Sequence, residues 1–399
     1  MGAKTLDDIK AQQNKTALVR VDFNVPVHDG LITDDTRLNV AIPTIEALRQ
    51  KGFKVVLLAH FDRPKGKVVP EMSLGFLRPT LSKLLNHEVL FVPNCIGSDA
   101  VDAVKNAPNG AVILLENTRF HPSEEANDND FAHELSKLGD IYVNDAFSAA
   151  HRAHASTEGL AHLLPSYAGH SLARELKALD QSLGHPKRPV MGVVGGSKVS
   201  TKLDLLENLI TKLEHLVIGG GMANTFLFAQ GRSIGGSLCE NDMQDKARQI
   251  LEAAHISGCQ IHLPLDLVVA KTLEANAPWK VMATGSDLDS DDKIFDVGPV
   301  TVEKLKSIVD HCHTIIWNGP LGVFEVPPFD QGTKSLAQYV AKATFDKKII
   351  SVAGGGDTVS ALSAAGVSDD FSFISTAGGA FLEWMEGKTL PGVAALTTD

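Results

Sequence analysis

Ten short runs of apolar residues recur along the chain, each emptying into polar or glycine-containing residues. In the first half they are ALVRV (17–21), VVLLA (55–59), VILLE (112–116) and IYVND (141–145). In the second they are MGVVG (191–195), HLVIG (215–219), QIHLP (260–264), TIIWN (314–318), IISVA (349–353) and FSFIS (371–375). Runs that are apolar at nearly every position are buried on both faces, and the helical spacing between them predicts parallel sheets covered by helices. Leu172, Leu176, Leu179 and Leu183 fall on one helical face, and Gly184 followed by HPKRP ends that helix. It predicts a stiff connector over 171–188, with one α/β domain before it (1–170) and another after it (189–379).

Length agrees, because 399 residues exceed what a single core usually sustains. An apolar fraction of 44% and a charged fraction of 21% are those of an ordinary globular protein. The net charge of −11 argues against a general nucleic-acid or anionic-membrane surface, so any anion must be captured by a local basic patch. No apolar stretch reaches the length of a membrane span, and MGAKTLDDIK lacks the apolar core of a signal peptide. Cys95, Cys239, Cys259 and Cys312 are scattered without a CxxC, which suits a reducing cytoplasm. His311-Cys312-His313 is expected to be structural, since neighbouring strand residues point to opposite faces.

Glycine separates the two halves. Paired or tripled glycines are absent from the first 190 residues, yet follow four apolar runs of the second half, at 195–196, 219–221, 354–356 and 378–379. Bare backbone at the carboxyl end of a parallel strand is where α/β sheets receive ligands. GGSKVSTK (195–202) predicts Lys198 and Lys202 on one face of a helical first turn, where free N–H groups and the helix dipole add to their charge, a combination that suits a polyphosphate. In GGGDT (354–358), accessible amides accompany Asp357, suited to a phosphate-bound Mg²⁺, and Thr358, a hydrogen-bond donor. WNGPLGVFE (317–325) ends in Glu325, an acceptor for ribose hydroxyls. Neither GxxxxGK[ST] nor GxGxxG occurs, which disfavours P-loop and standard dinucleotide sites.

The first half presents arginine and histidine instead. Strand alternation sends Arg20, Asp22 and Asn24 to one face. His60 and Arg63 follow the second run, Arg119 the third and His151-Arg152-Ala153-His154 the fourth, while Arg37 sits in LITDDTRLN. Arginines gathered at one sheet edge of an acidic protein imply a small, multiply anionic ligand, with Asp22 and Asn24 reading a hydroxyl.

RVDFNVP (20–26), HFDRP (60–64), ENTRF (116–120), NDAFSAAHRAH (144–154), GGSKVSTK, WNGPLGVFE, GGGDT and STAGGA (375–380) occur in this order, and in them the chain resembles the phosphoglycerate kinases over essentially its whole length. The resemblance implies two Rossmann-like domains joined by the connector helix, with a tail from 380 to 399 returning to the first. It implies a kinase that transfers a phosphoryl group reversibly between 1,3-bisphosphoglycerate and ADP, giving 3-phosphoglycerate and ATP, with Mg²⁺ carried by the nucleotide. It assigns the acid to Asp22, Asn24, Arg37, His60, Arg63, Arg119 and Arg152. The nucleotide falls to Lys202, Gly219, Gly220, Gly221, Glu325, Gly355, Gly356, Asp357 and Thr358. Catalysis falls to Arg37, Lys198, Lys202 and the amides near Gly356 and Gly379, by direct in-line transfer after domain closure. The family resemblance also implies a cytoplasmic monomer with no nucleic-acid or membrane partner. Two departures stand out: Ala377 replaces a common third glycine, and Ile294-Phe295 precedes DVG at the expected adenine pocket. A nicotinamide oxidoreductase would need the missing GxGxxG, and a catalytically idle scaffold would not need every charged position intact.

Overall fold

The computed structural model describes residues 2–275 and 277–397. The chain divides into two compact units, one formed by the chain up to Lys177 together with the segment from Thr389, the other by Ala178–Lys388. Each has its own parallel sheet.

In the first unit the strands are β1 (Thr16–Arg20), β2 (Lys54–Leu58), β3 (Val89–Val92), β4 (Val112–Leu115), β5 (Ile141–Asn144) and β6 (Ser166–Ala168). They lie in the order β3-β4-β2-β1-β5-β6, every neighbouring pair parallel. Every residue of β1, β4 and β5 is buried, as continuous apolar runs require when helices cover both faces. Val19 stands opposite Leu57 on one side and Val143 on the other, and the helix α1 (Thr36–Gln50) adds Leu38, Ile45 and Leu48 to the same core. The apolar pattern did not predict β3 or β6. Both are short edge strands with partly exposed positions; β6 (SYA) has no apolar run, whereas β3 (VLFV) is apolar throughout and its run was legible but not assigned.

The connector begins as α2 (His170–Leu179) and continues as a π turn over Asp180–Gly184. Its start is tied to the first unit: Asp145 Oδ1 accepts from the Ser171 and Leu172 N–H groups at 2.8 and 3.1 Å, and Thr44 Oγ1 accepts from His170 N at 2.9 Å. All four leucines of the stripe are buried. Gly184 is not a left-handed cap; a Cβ there would lie 2.4 Å from Asp180 Oδ1, so a larger residue would have to displace the Asp180 carboxylate.

The second unit carries β7 (Val190–Gly195), β8 (His215–Gly219), β9 (Gln260–His262), β10 (Asp266–Ala270), β11 (Trp279–Ala283), β12 (Lys293–Val297), β13 (Thr314–Asn318), β14 (Ile350–Gly354) and β15 (Phe373–Ser375). Six form a parallel sheet in the order β9-β8-β7-β13-β14-β15, around a core that includes Val193, Ile315, Trp317, Leu336 and Val340. The other three form an antiparallel sheet, β11-β10-β12, that the apolar pattern did not predict. Its strand β11 is almost wholly exposed, so no run marks it.

The tail begins later than residue 380. Helix α3 (Gly379–Met385) belongs to the second unit, where Asn208 Nδ2 donates to Met385 O at 2.5 Å and Lys388 pairs with Asp204 at 3.0 Å. From Thr389 the chain belongs to the first unit: Gly392 N donates to Ala150 O at 2.9 Å, and its carbonyl accepts from Asn144 Nδ2 at 3.3 Å. Among the described residues, no helix is long and apolar enough to cross a membrane.

Candidate active site

The residues singled out in the first half follow β4, β2, β1 and β5, which are four adjacent strands pointing the same way. The chain builds outward from β1 in one direction, then returns to lay β5 on β1's other side. That reversal opens a crevice beyond the strand ends, the usual ligand position in such sheets. In the second unit the same reversal falls between β7 and β13.

Beyond β1, Asp22 is a hub. Its carboxylate accepts from Arg37 Nη1 at 2.8 and 3.0 Å, from Ser148 Oγ at 2.5 Å and from Asn24 N at 3.1 Å. Asn24 Oδ1 in turn accepts from Asp62 N at 2.9 Å, and Asp62 O accepts from Arg119 Nη1 at 2.9 Å. Arg20 is fully buried. Its Nε donates to Ser156 Oγ (2.8 Å), Nη1 to Val21 O (2.6 Å) and Nη2 to His60 Nδ1 (2.8 Å). Arg20, Arg119 and Arg152 all lie close enough to His60 and His154 to act on their charge. Burial first, then these guanidinium groups, hold His60 well below its ordinary pKa and push His154 down to about 3. Both imidazoles are therefore neutral at physiological pH. Buried Glu124 partly offsets the cations, accepting from Ser156 N and Oγ and lying 4.0 Å from His154 Nδ1.

Arg119 carries an informative defect. It is 5% exposed, its Nε lies 3.1 Å from Glu125 Oε1, yet the N–H is misaligned and makes no hydrogen bond. With Arg20 and Arg152 acting on it as well, the Glu125 carboxylate offsets only part of this positive charge, and such a cluster is a place for an anion. Arg152 is half-buried, with its Nε donating to His151 Nε2 at 3.1 Å. Arg63 is exposed and makes no hydrogen bond or ion pair among the described residues, so it stands apart from the buried network.

In the second unit, Lys202 lies at the reversal point. Its ammonium donates to Gly195 O (2.8 Å), Asn318 Oδ1 (2.5 Å) and Asn318 O (3.3 Å), joining the ends of β7 and β13. Burial lowers its pKa to about 8, against the opposing pull of Asp357 and Glu386. Lys198 is exposed and precedes the helical segment, which opens as a 3-10 turn at Ser200 and becomes α-helical only at Leu203. The two lysines therefore do not share a helical face as the four-residue spacing predicted.

Beside Lys202 opens a cavity of about 270 Å³, lined in part by Gly220, Gly221, Leu321, Glu325 and Asp357. Leu238 and Pro320 add apolar wall, and Ile294 and Phe295 line it as expected for the segment before DVG. Glu325 and Asp357 are both exposed. Asp357 sits in the first turn of helix α4 (Gly356–Ala364), whose cap Gly355 has φ +99 and whose Gly356 borders open space. First-turn N–H groups lack partners within a helix, so this end is electropositive. Thr358 is buried, and its Oγ1 accepts from Gly319 N at 2.7 Å instead of lining the cavity.

Several of these glycines are also demanded by packing. A Cβ on Gly195 would fall 1.8 Å from Pro320 O, and one on Gly219 would fall 2.8 Å from Leu321 Cα. Gly220 N already donates to Leu321 O at 2.8 Å. These glycines let the loops after β7, β8 and β13 pack backbone against backbone. Gly356 and Gly378 border open space. Ala377 is tolerated because the left-handed position falls on Gly378 (φ +49), which caps α3 ahead of Gly379. Asn318, Ser148 and Glu124 were not anticipated. Asn318 lies inside the WNGPLG motif, but nothing in the sequence showed that its amide would meet Lys202. Cys312, in the histidine-flanked triplet, is buried in the core, and the triplet lies in the turn before β13 and not within a strand.

Among known proteins, the phosphoglycerate kinase family model matches residues 6–388. The phosphoglycerate kinase of Caulobacter vibrioides is 61% identical over 396 residues, 99% of this chain and all of that protein. That of Agrobacterium fabrum is 56% identical over 395 residues, 99% of this chain and 98% of the relative. The structure of phosphoglycerate kinase from Coxiella burnetii superposes with a TM-score of 0.92 at 43% identity, covering 99% of this chain and 98% of the other.

Proposed function

The chain belongs to the phosphoglycerate kinase family, and on that premise we propose that it transfers a phosphoryl group reversibly between 1,3-bisphosphoglycerate and ADP, giving 3-phosphoglycerate and ATP. The observation that carries the reading is the buried cluster of Arg20, Arg119 and the neutral His60 and His154, with Arg152 beside it, at the strand ends of one unit. It is a site for a compact polyanion, and the glycine-lined cavity beside Lys202 in the other unit suits a nucleotide.

In this reading Asp22 and Asn24 accept the glycerate hydroxyl, while Arg37, His60, Arg63, Arg119 and Arg152 bind its phosphate and carboxylate. Gly219 to Gly221 pack beside the base, Glu325 takes the ribose, and Gly355, Gly356 and Thr358 form the turn beside the phosphates. Asp357 offers one exposed carboxylate that belongs to no cluster of metal-ligating groups among the described residues, which suits Mg²⁺ arriving on the nucleotide better than a resident ion. Transfer is direct and in line, because positioning and charge stabilisation suffice without a protein nucleophile. Arg37 and Lys202 grip the transferring group, assisted by Lys198 and by amides near Gly356 and Gly379. Closure about the connector precedes chemistry and excludes water that would otherwise accept the phosphoryl group.

A coupled assay with 3-phosphoglycerate, MgATP and glyceraldehyde-phosphate dehydrogenase tests the reading. NADH oxidation that requires both substrates is expected; oxidation without the kinase substrates points to a dehydrogenase, and none at all to an idle binding protein.

A further inference from the structure

A second cavity in the nucleotide unit has no place in this chemistry. It measures about 350 Å³, larger than the one beside Lys202. Leu227, Leu251, Leu263 and Leu305 give it apolar walls, and Arg232 and Lys304 lie at its surface. Both cations are exposed, and neither makes a side-chain hydrogen bond or ion pair among the described residues. No acidic residue lines the cavity, although Asp and Glu outnumber Lys and Arg by 48 to 37 in the chain. The nearest acid on the same helix, Glu303, is taken by Lys306 at 2.8 Å. His262 completes the polar rim; its Nε2 is 3.1 Å from His215 Nδ1, and burial lowers its pKa to about 4, so it is neutral. Pro264 lines both cavities, so they are back to back.

The geometry points to a second ligand site here, for a small molecule carrying one carboxylate on an apolar chain. The carboxylate meets Arg232 and Lys304, and the chain lies on the leucines. Octanoate is the probe, with neutral octanol as its comparison, on methyl-labelled protein followed by NMR. Expected are saturable shifts of the Leu227, Leu251 and Leu305 methyls with octanoate, persisting under saturating MgADP. Octanol, or an R232Q/K304Q double variant, should weaken binding about tenfold or more. Both substituted residues are exposed, so the variant folds. Absent shifts, shifts confined to Leu238 and Leu321, or equal affinity in the double variant would each overturn the site.

A separate observation concerns His60 and rests on the glycerate reading above. A guanidinium can only donate, so the 2.8 Å contact from Arg20 Nη2 makes His60 Nδ1 an acceptor. We infer that Arg20 is a positioning residue that locks His60 in the Nε2–H tautomer, giving the ring a single donor for the anion. Imidazole ¹⁵N spectra of the ligand-free protein should show Nδ1 bare and Nε2 protonated between about pH 6 and 8, with Arg20→Met losing this bias and Arg20→Lys keeping it. His60→Gln, whose amide nitrogen can stand at the Nε2 position, should retain a lower KM for 3-phosphoglycerate than His60→Asn, with kcat little different. A ring protonated at Nδ1 refutes the tautomer whatever the substrate proves to be. The expected tautomer with equal KM in the two variants refutes the donor's part in binding.

Discussion

The Lys202 ammonium is held by Asn318, through both its carboxamide oxygen and its backbone carbonyl, so one side chain bridges the two strands between which the sheet reverses direction. Three oxygen acceptors and burial fix the charge where a transferring phosphoryl group would need it, at the cost of a pKa lowered to about 8. Below that value the lysine is charged in the free protein; above it the charge is lost. We expect kcat/KM for MgATP to fall as pH rises through about 8, and Lys202→Arg, which stays charged, to lose that limb. Lys202→Ala should lower kcat by roughly two orders of magnitude or more with modest change in nucleotide affinity. Near-wild-type turnover would remove Lys202 from the transfer step.

Arg63 lies outside the buried arginine network, so removing it leaves that network intact. Arg63→Ala should raise KM for 3-phosphoglycerate about tenfold or more while altering melting temperature little. An unchanged KM would exclude Arg63 from the anion site.

The glycines divide by what their missing Cβ makes room for. Gly195→Ala would place a carbon 1.8 Å from Pro320 O and should destabilise the protein by about 3 kcal/mol or more, seen as a lower denaturant midpoint. Gly356→Ala meets open space and should leave the midpoint nearly unchanged while impairing nucleotide kinetics. Equal stability losses in the two variants would contradict this division.

Asp296 lies buried against Gly322 and Gly332 and accepts from Val297 N at 2.8 Å and Gly332 N at 2.7 Å. Burial, with Asp330 adding to it, raises its pKa from 3.8 to about 8. The folded state therefore holds a proton that the unfolded chain releases near 3.8, and this contribution to stability declines as pH rises between those values. Asp296→Asn should flatten that part of the stability–pH profile, measured by urea unfolding from about pH 4 to 8. An unaltered slope would show that Asp296 is ionised when folded.

The apolar runs sufficed to predict the central strands of the two parallel sheets, because burial on both faces leaves an unbroken apolar signature. Edge strand β6 and the exposed strand β11 carry no such signature and are defined by pairing with neighbours, whereas the apolar runs of β3 and β10 were legible but not assigned. Motif spacing likewise identified Lys202, Asp357, His60 and the arginines as chemistry at strand ends. What each would touch was decided by tertiary structure: Arg20 turned inward to His60, Thr358 to Gly319, and Arg119 to Glu125 and the Asp62 carbonyl. Most revealing are Gly195 and Gly219, whose identity is written in the sequence but whose reason is not. Only the approach of the loop at Pro320 and Leu321, more than 100 residues away in sequence, shows that their bare backbone receives another strand's end. Local sequence determines which residues are apolar, charged or free of a side chain. Long-range strand order determines what stands opposite them.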